Sequence, residues 1–441
     1  MEITSSYSVE IRKAEGSLLM TMRIYREAVR VLALFYDTVW EELSAVEGEK
    51  KRFNYAEHLV HETKRNHAVY DFDSLFPKMP SYLRRSAITH ALGSVSSYRT
   101  RLAGWETGGR KGKRPVLGER THAMPVFYRG NMYREKDGDV AQIKLWSGRD
   151  WVWVTASLLH TDMEYLRKHW TGVKASAPTL EKRHRKYFLR FTYTESKELS
   201  KSPVQEQRIC AVDLGINTDA VCSIMESDGT VSARKFIDFA DEKDRLKKTL
   251  NRIRRKSREH DPKSVKGLWG YAARCNEELS KKTAAGIVRF AEENHADVIV
   301  FEYLEMRGKI RGSRKMRLHM WKKKAALKIC EHMAHRNGIR VSRVCAWNTS
   351  ALAYDGSGNV ERDPDNHRLC TFASGKRYNC DLSASYNIGA RYYIRELTKP
   401  MPATAWSVLE AKVPAVRRRS SCVYADLAGM YALMRENGWI A

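Results

Sequence analysis

The sequence has eight cysteines (210, 222, 275, 330, 345, 370, 380 and 422) and no Cys-x-x-Cys pair among them. That spacing announces neither a disulfide framework nor a simple zinc site, so reduced thiols are the expectation. No run approaches the ~18 apolar residues of a membrane-spanning helix, and the opening MEITSSYSVEIRK lacks a signal peptide's apolar core. A cytoplasmic protein with no membrane partner is therefore expected. No internal repeat or low-complexity tract is visible. Acidic residues are in short supply: 52 Asp and Glu stand against 78 Lys and Arg, a formal net charge of +26. Such an imbalance suits a polyanion far better than a small metabolite, and nucleic acid is the partner it indicates.

What is present is enough for several packed cores. A chain of 441 residues, 43% of them hydrophobic, has a prior of two to four domains. The segment ITSSYSVEIRK alternates like a strand, and SLLMTMRIYREAVRVLALFYDTVWEEL (17–43) carries apolar residues at helical spacing. Helical texture continues to about residue 105, where TGGRKGKRP (107–115) breaks it. From about 123 to 200 the runs MPVFYRG, AQIKLWSG, DWVWVTASLL and KYFLRFTYT are short and β-rich. A β-barrel or sandwich with a helical insertion fits this half, and the polar SKELSKSPVQEQ (196–207) reads as a linker. Beyond it, RICAVDLGI, DAVCSIM and VSARKFID form a three-stranded meander turning at SDG. Helices are expected over 241–259 and about 266–294. The apolar, β-branched DVIVFE follows as a buried parallel strand, then a helix over 314–337, a fifth strand in NGIRVSRV, and a last helix opening at Asp381. The order βββ-α-β-α-β-α is that of a ribonuclease H-like α/β fold.

Three carboxylates fall at telling points of this order. Asp213 sits inside the first strand, where a charge is costly unless something pairs with it. Glu302 ends the fourth strand, at the carboxyl edge where open α/β sheets place their sites. Asp381 opens the last helix. Each has a plainer reading: a turn-forming Asp, an ordinary strand end, and a helix N-cap before LSAS. Taken together they favour convergence, and three touching carboxylates cannot all stay ionised without a cation such as Mg²⁺ or Mn²⁺. Two such ions ~4 Å apart activate water and stabilise a leaving oxygen, the chemistry of phosphodiester hydrolysis. The DLGIN segment also resembles the phosphate loop of actin-like ATPases, but the later glycine-rich elements of those proteins are missing.

Basic runs surround these acids. Residues 241–282 hold fourteen Lys and Arg against seven acids, with Arg252, Arg254, Arg255 and Lys256 at the centre. Residues 307–324 hold nine and no acid, among them Arg311, Arg314, Lys315, Arg317, Lys322 and Lys323. A charge run is ordinarily a solvated face; its position next to Glu302 favours a phosphate-lined path to the carboxylates, with binding that weakens in salt.

At AVDLGIN, IVFEYLE, the Trp-containing helix before GIRVSRVCAWNTS, and CDLSASYNIGAR, the chain resembles the RuvC domain of TnpB nucleases and type V CRISPR effectors. In size and order of parts it looks most like the compact type V-F effectors. The motif-level likeness spans 208 to about 395, and the N-terminal half matches in architecture. The resemblance implies a multidomain α+β protein. Residues 1–16 and 119–200 would form a wedge β-barrel, 17–118 a helical recognition insertion and 201–207 a linker. A RuvC-like nuclease would occupy 208–344 and 381–441, the latter with a C-terminal tail, and a target-strand loading module 345–380. It further implies Asp213, Glu302 and Asp381 as a Mg²⁺-binding catalytic triad, a guide RNA, double- and single-stranded target DNA, a flanking motif read by protein, a homodimer on one guide RNA, and a bacterial or archaeal cytoplasm. A transposon-associated TnpB nuclease and a guided repressor that does not cut are the alternatives.

One departure from the family stands out. Its zinc ribbon carries two Cys-x-x-Cys pairs, but here Ala353 and Gly356 replace the first pair, and Cys370 is followed by Ala373. Cys345, His367, Cys370 and Cys380 remain as a conceivable rearranged zinc set, and a zinc-free module held by packing is expected instead. The family also places an arginine near the phosphate in this module, for which Arg362, Arg368 and Arg377 are candidates.

Overall fold

The computed structural model describes residues 1–118, 122–216, 218–259, 262–303, 323–418 and 420–440. The chain divides into two compact units, Glu2–Glu195 and Ser196–Ala441, the latter with Met1.

The first unit is built on a curled six-stranded sheet. Its strands are β1 (Glu2–Ala14), β2 (Tyr133–Glu135), β3 (Val140–Trp146), β4 (Trp151–Leu158), β5 (Thr179–Arg183) and β6 (Lys186–Ser196), in the order β2-β3-β4-β1-β6-β5. The edges are linked by one segment. The amide of Phe127 donates to Pro178 O (2.7 Å) and that of Leu180 to Pro125 O (2.9 Å), after which the chain turns at Gly130 into β2. Between β1 and β2 run α1 (Leu18–Thr38), α2 (Trp40–Ala45), α3 (Glu49–Val60), α4 (Phe72–Leu75) and α5 (Ser81–Thr107). Ser17 caps α1, accepting from the Met20 amide at 3.2 Å. The apolar spacing seen in the sequence buries Met22, Tyr25, Val29, Leu32 and Tyr36 of α1 in a core shared with Leu83, Ala87, Ile88 and Ala91 of α5. Within the stretch read as wholly β-rich, α6 (His160–Trp170) intervenes between β4 and β5. Its buried positions, Met163, Leu166 and Trp170, do fall at helical spacing, a signal only two turns long between β-rich runs.

The second unit centres on a five-stranded sheet ordered β11-β10-β7-β8-β9. Strands β7 (Ile209–Asp213), β8 (Ala220–Met225) and β9 (Val231–Ile237) form the expected antiparallel meander. It turns at Gly229, whose φ of +92° only glycine adopts without strain. Helices α7 (Ala240–Arg258) and α8 (Pro262–Glu293) lead to β10 (Val298–Tyr303), then α9 (Lys323–Arg336) and β11 (Arg340–Cys345). β10 runs parallel to both β7 and β11. A small three-stranded sheet follows, from β12 (Glu361–Arg362), β13 (Leu369–Thr371) and β14 (Arg377–Asn379). The chain ends with α10 (Cys380–Thr398), α11 (Ala403–Lys412) and α12 (Tyr424–Glu436). The element order is the one anticipated, with the small sheet inserted before α10.

The central strands β7, β8 and β10 of the large sheet are buried on both faces. Cys210, Val212, Ile299 and Phe301 pack toward Ile287 and Val288 of α8 and Cys330 and Ala334 of α9. Ile209, Ala211, Val298 and Val300 pack toward Leu382, Tyr386, Ile388 and Ala390 of α10. A Cβ on Gly389 would meet Met225 Sδ at 2.8 Å and Ala211 Cβ at 3.3 Å. The glycine therefore sets how closely α10 lies on the sheet. The tail beyond residue 398, whose role the sequence left open, joins this core through Leu409, Val416, Leu427, Met430 and Met434.

Candidate active site

Side chains alternate between the faces of a strand, and the two cores fix which residue faces which. Ile209 and Ala211 of β7 face α10, so Asp213 continues that face. Val298 and Val300 of β10 do the same, and so does Glu302. In the parallel ladder Val212 lies opposite Phe301, and the next rung sets Asp213 beside Glu302, on strands about 4.8 Å apart. Both are only 8% exposed. The third acid, Asp381, stands half-buried in the first turn of α10, the helix laid across this same face.

Capping is not the task of Asp381. The N-cap is Asn379, whose Oδ1 accepts from the Leu382 amide at 2.9 Å. The helix starts one residue earlier than the sequence suggested because β14 ends at Asn379. Asn and Asp cap about equally well, and the end of the strand decides between them.

Glu302 is held from the loop that follows β11. Thr349, itself 2% exposed, donates its hydroxyl to Glu302 Oε1. The Thr349 carbonyl accepts from Asn387 Nδ2 (3.0 Å), which also donates to Leu352 O (2.9 Å), while Asn387 Oδ1 accepts from the Tyr424 amide (3.0 Å). One turn on, Arg391 donates from Nη1 to Cys345 O (2.8 Å) and Trp347 O (2.7 Å) and from Nε to Cys422 O (2.9 Å). Burial pushes the Arg391 guanidinium below its ordinary pKa, with the Glu302 carboxylate among the groups opposing the shift. None of Thr349, Asn387 and Arg391 was read as a site residue. The signal for the last two was their presence in SYNIGAR, polar side chains on what proves to be a buried helix.

The cysteines divide. Cys370 and Cys380 are buried together with Ala353 and Phe372 in the core of the small module. Burial, with the neighbouring Cys380 thiol, pushes Cys370 up to about 12. His367 lies in an exposed turn and Cys345 is exposed at the end of β11. Among the described residues no three His, Cys, Asp or Glu side chains are arranged to hold a metal ion. The zinc set is thus not brought together, and the three carboxylates are neighbouring positions rather than a closed cage. Their chemistry still suits a hard divalent cation, since all three offer carboxylate oxygen.

The candidate arginines separate. Arg368 pairs with Asp238 (2.8 Å) and Arg377 with Asp363 (2.8 Å). Arg362 donates to Ser350 O (3.3 Å) and, like Asp381, acts electrostatically on the Cys380 thiol. Of the basic residues, Arg252, Arg254 and Arg255 are exposed on α7 and Lys256 is half-buried, opposite the packed Leu250 and Ile253. Lys256 and Arg255 pair with Glu259. Lys323 begins α9, whereas Arg311, Arg314, Lys315, Arg317 and Lys322 lie outside the described residues.

Comparison with solved structures gives this architecture a precedent. The chain has the fold of the Cas12f1 chain in the Cryo-EM structure of the Cas12f1-sgRNA-target DNA complex, with a TM-score of 0.51 over 88% of this chain and 98% of that one, at 14% identity. CasPhi-2 (Cas12j) bound to crRNA and phosphorothioate-DNA is matched at TM-score 0.47 and 10% identity, over 88% and 91% of the two chains. A CRISPR-Cas12f ternary complex is matched at 0.34 and 15%, over 83% and 80%. The family described as Aq_aa04 matches residues 4–147. No curated protein matches the sequence.

Proposed function

We propose that the protein is an RNA-guided DNA endonuclease of the type V CRISPR effector kind, cutting phosphodiester bonds at a RuvC-like centre formed by Asp213, Glu302 and Asp381. The observation that carries this is the placement of Asp213 and Glu302 side by side at the ends of adjacent parallel strands, under the helix whose first turn bears Asp381. The shared fold with a Cas12f1 chain solved with guide RNA and target DNA supports it. In this reading the curled sheet of the first unit is a wedge barrel, α1 to α5 are its recognition insertion, and the small sheet is the target-strand loading module. Guide RNA, target DNA, a second copy of the chain on one guide, and a bacterial or archaeal cytoplasm complete the proposal.

The three carboxylates would hold Mg²⁺ or Mn²⁺, which when bound neutralises charge developing on the phosphate and activates water. Thr349 keeps Glu302 oriented, and Asn387 and Arg391 fix the loop that carries Thr349. Arg362, beside the start of α10, is the arginine of this module best situated to contact a phosphate.

The test is cleavage of a plasmid library with randomised flanks by protein co-expressed with its RNA. Cutting next to one flanking motif, abolished by EDTA, is expected. Asp213→Ala, Glu302→Ala and Asp381→Ala should each lower cleavage about a hundredfold or more while guide and target binding persist. Full cleavage by any of the three sinks the assignment.

A further inference from the structure

A cavity of about 570 Å³ opens on the α7–α8 side of the second unit, beside the chain that leaves Asp213. Its volume lies in the range of about 300–1,000 Å³ typical of small-ligand pockets. Ile216, three residues beyond Asp213, lines it together with Leu246 and Leu250 of α7 and Leu279 of α8. The mouth is reached by residues 365–368 of the small module.

Two features define what it would take. Asn276 of α8 lines the cavity and is 1% exposed, yet its Nδ2 has no hydrogen-bond partner. A buried, unpaired donor is costly, and it points to an acceptor that arrives with a ligand. The charges lining the cavity are balanced, four Asp against four Lys and Arg, and Asp219, Asp238, Lys243 and Arg368 are spent on each other. Lys243 pairs with Asp219 (3.4 Å) and Asp238, and Arg368 pairs with Asp238 (2.8 Å). A phosphate cluster needs surplus positive charge. An aliphatic floor of Leu246, Leu250 and Leu279, walled by charges of balanced sign and by the side-chain amides of Asn251, Asn276 and Asn366, instead fits a flat, uncharged ring with a hydrogen-bonding edge.

We propose that this cavity receives a single unstacked nucleobase, with Asn276 donating to an acceptor on its edge. Resting on the nuclease reading, the occupant is a base of the strand being cut, held where the chain leaving Asp213 passes the cavity at Ile216. A free nucleotide offers the same ring, and the experiment separates the two sources.

The full-length chain carrying Asp213→Ala is irradiated with two probes, a single-stranded oligothymidylate containing 4-thiothymine and free 4-thiothymidine monophosphate. Cross-linked peptides are then mapped. Cross-links from the oligonucleotide to the 240–251 and 276–279 segments are expected, falling at least about fivefold in Asn276→Leu and in Ala240→Trp. The second variant fills the cavity from an exposed position on α7 and keeps the test decisive if Asn276→Leu does not fold. Cross-linking of these segments by the monophosphate alone assigns the cavity to free nucleotide and overturns the strand-base assignment. Absence of cross-links from both probes, or yields unchanged in both variants, overturns the base pocket itself. No cutting is needed for this readout, so a pocket that cross-links in a chain whose wild type never cleaves DNA refutes the nuclease reading and leaves the pocket standing.

Discussion

Thr349 shows how a carboxylate of the proposed centre is governed by a residue far away in sequence. Its hydroxyl reaches Glu302 across 47 positions, and both groups are buried. A buried carboxylate loses part of its orientation when a buried donor to it is removed. Thr349→Val, similar in shape but lacking the hydroxyl, should reduce cleavage about 10- to 100-fold. Thr349→Ser should restore most of it. The check is single-turnover cleavage by both variants with melting temperatures measured alongside; equal loss in Val and Ser variants would assign Thr349 to packing instead. The acids of the two strands were legible because a carboxylate inside the apolar ICAVD or VIVFE is anomalous on its face. Thr349 was not, since a threonine in a polar loop is unremarkable until the fold brings it to β10. Asn379 was passed over for Asp381 as the cap for a related reason: both can cap, and only the end of β14 chooses.

At the scale of elements, the join between the linker and the sheet rests on Asp297. Its carboxylate accepts from Ser200 Oγ (2.5 Å), Ser202 Oγ (2.7 Å) and the Arg208 amide (3.0 Å), tying the entering chain to the start of β10. Burial pushes its pKa up, but the Ser200 hydroxyl, the Arg208 amide and the Ser202 hydroxyl together outweigh burial and hold it below the ordinary carboxylate value. A depressed carboxylate contributes stability that is complete above its unfolded pKa of about 3.9 and disappears as pH falls through the folded value. Asp297→Asn should therefore cost about 1.5–3 kcal/mol near neutral pH. Denaturant melts from pH 3 to 7 should show the gap between variant and wild type closing below about pH 4; a gap independent of pH would remove the charge from the explanation. The order of strands and helices along the chain around this join was readable from β-branched runs and turn residues. The short strands β12 to β14 were not, because two or three residues carry no period, and they are set by pairing across the module.

For the molecule as a whole, charge is the property the sequence states most openly, and it sets an experiment of its own. A net +26 does not choose a fold, but it does choose partners, and binding driven by phosphate contacts releases counterions. For single-stranded nucleic acid the logarithm of affinity falls with the logarithm of salt at about 0.7 per phosphate neutralised. About seven contacts would then give a slope of about −5, a loss of roughly a thousandfold between 50 and 200 mM salt. Arg252 offers a local control. It is exposed on α7 and makes no ion pair among the described residues, unlike Arg255 and Lys256, which share Glu259. Arg252→Gln should flatten the slope by about one unit and weaken binding evenly across sequences, as removal of a phosphate contact does. Fluorescence anisotropy across a salt series measures both. A wild-type slope near zero would mean that the basic surface is a solvated face and that the acids of β7, β10 and α10 serve some substrate other than a nucleic acid.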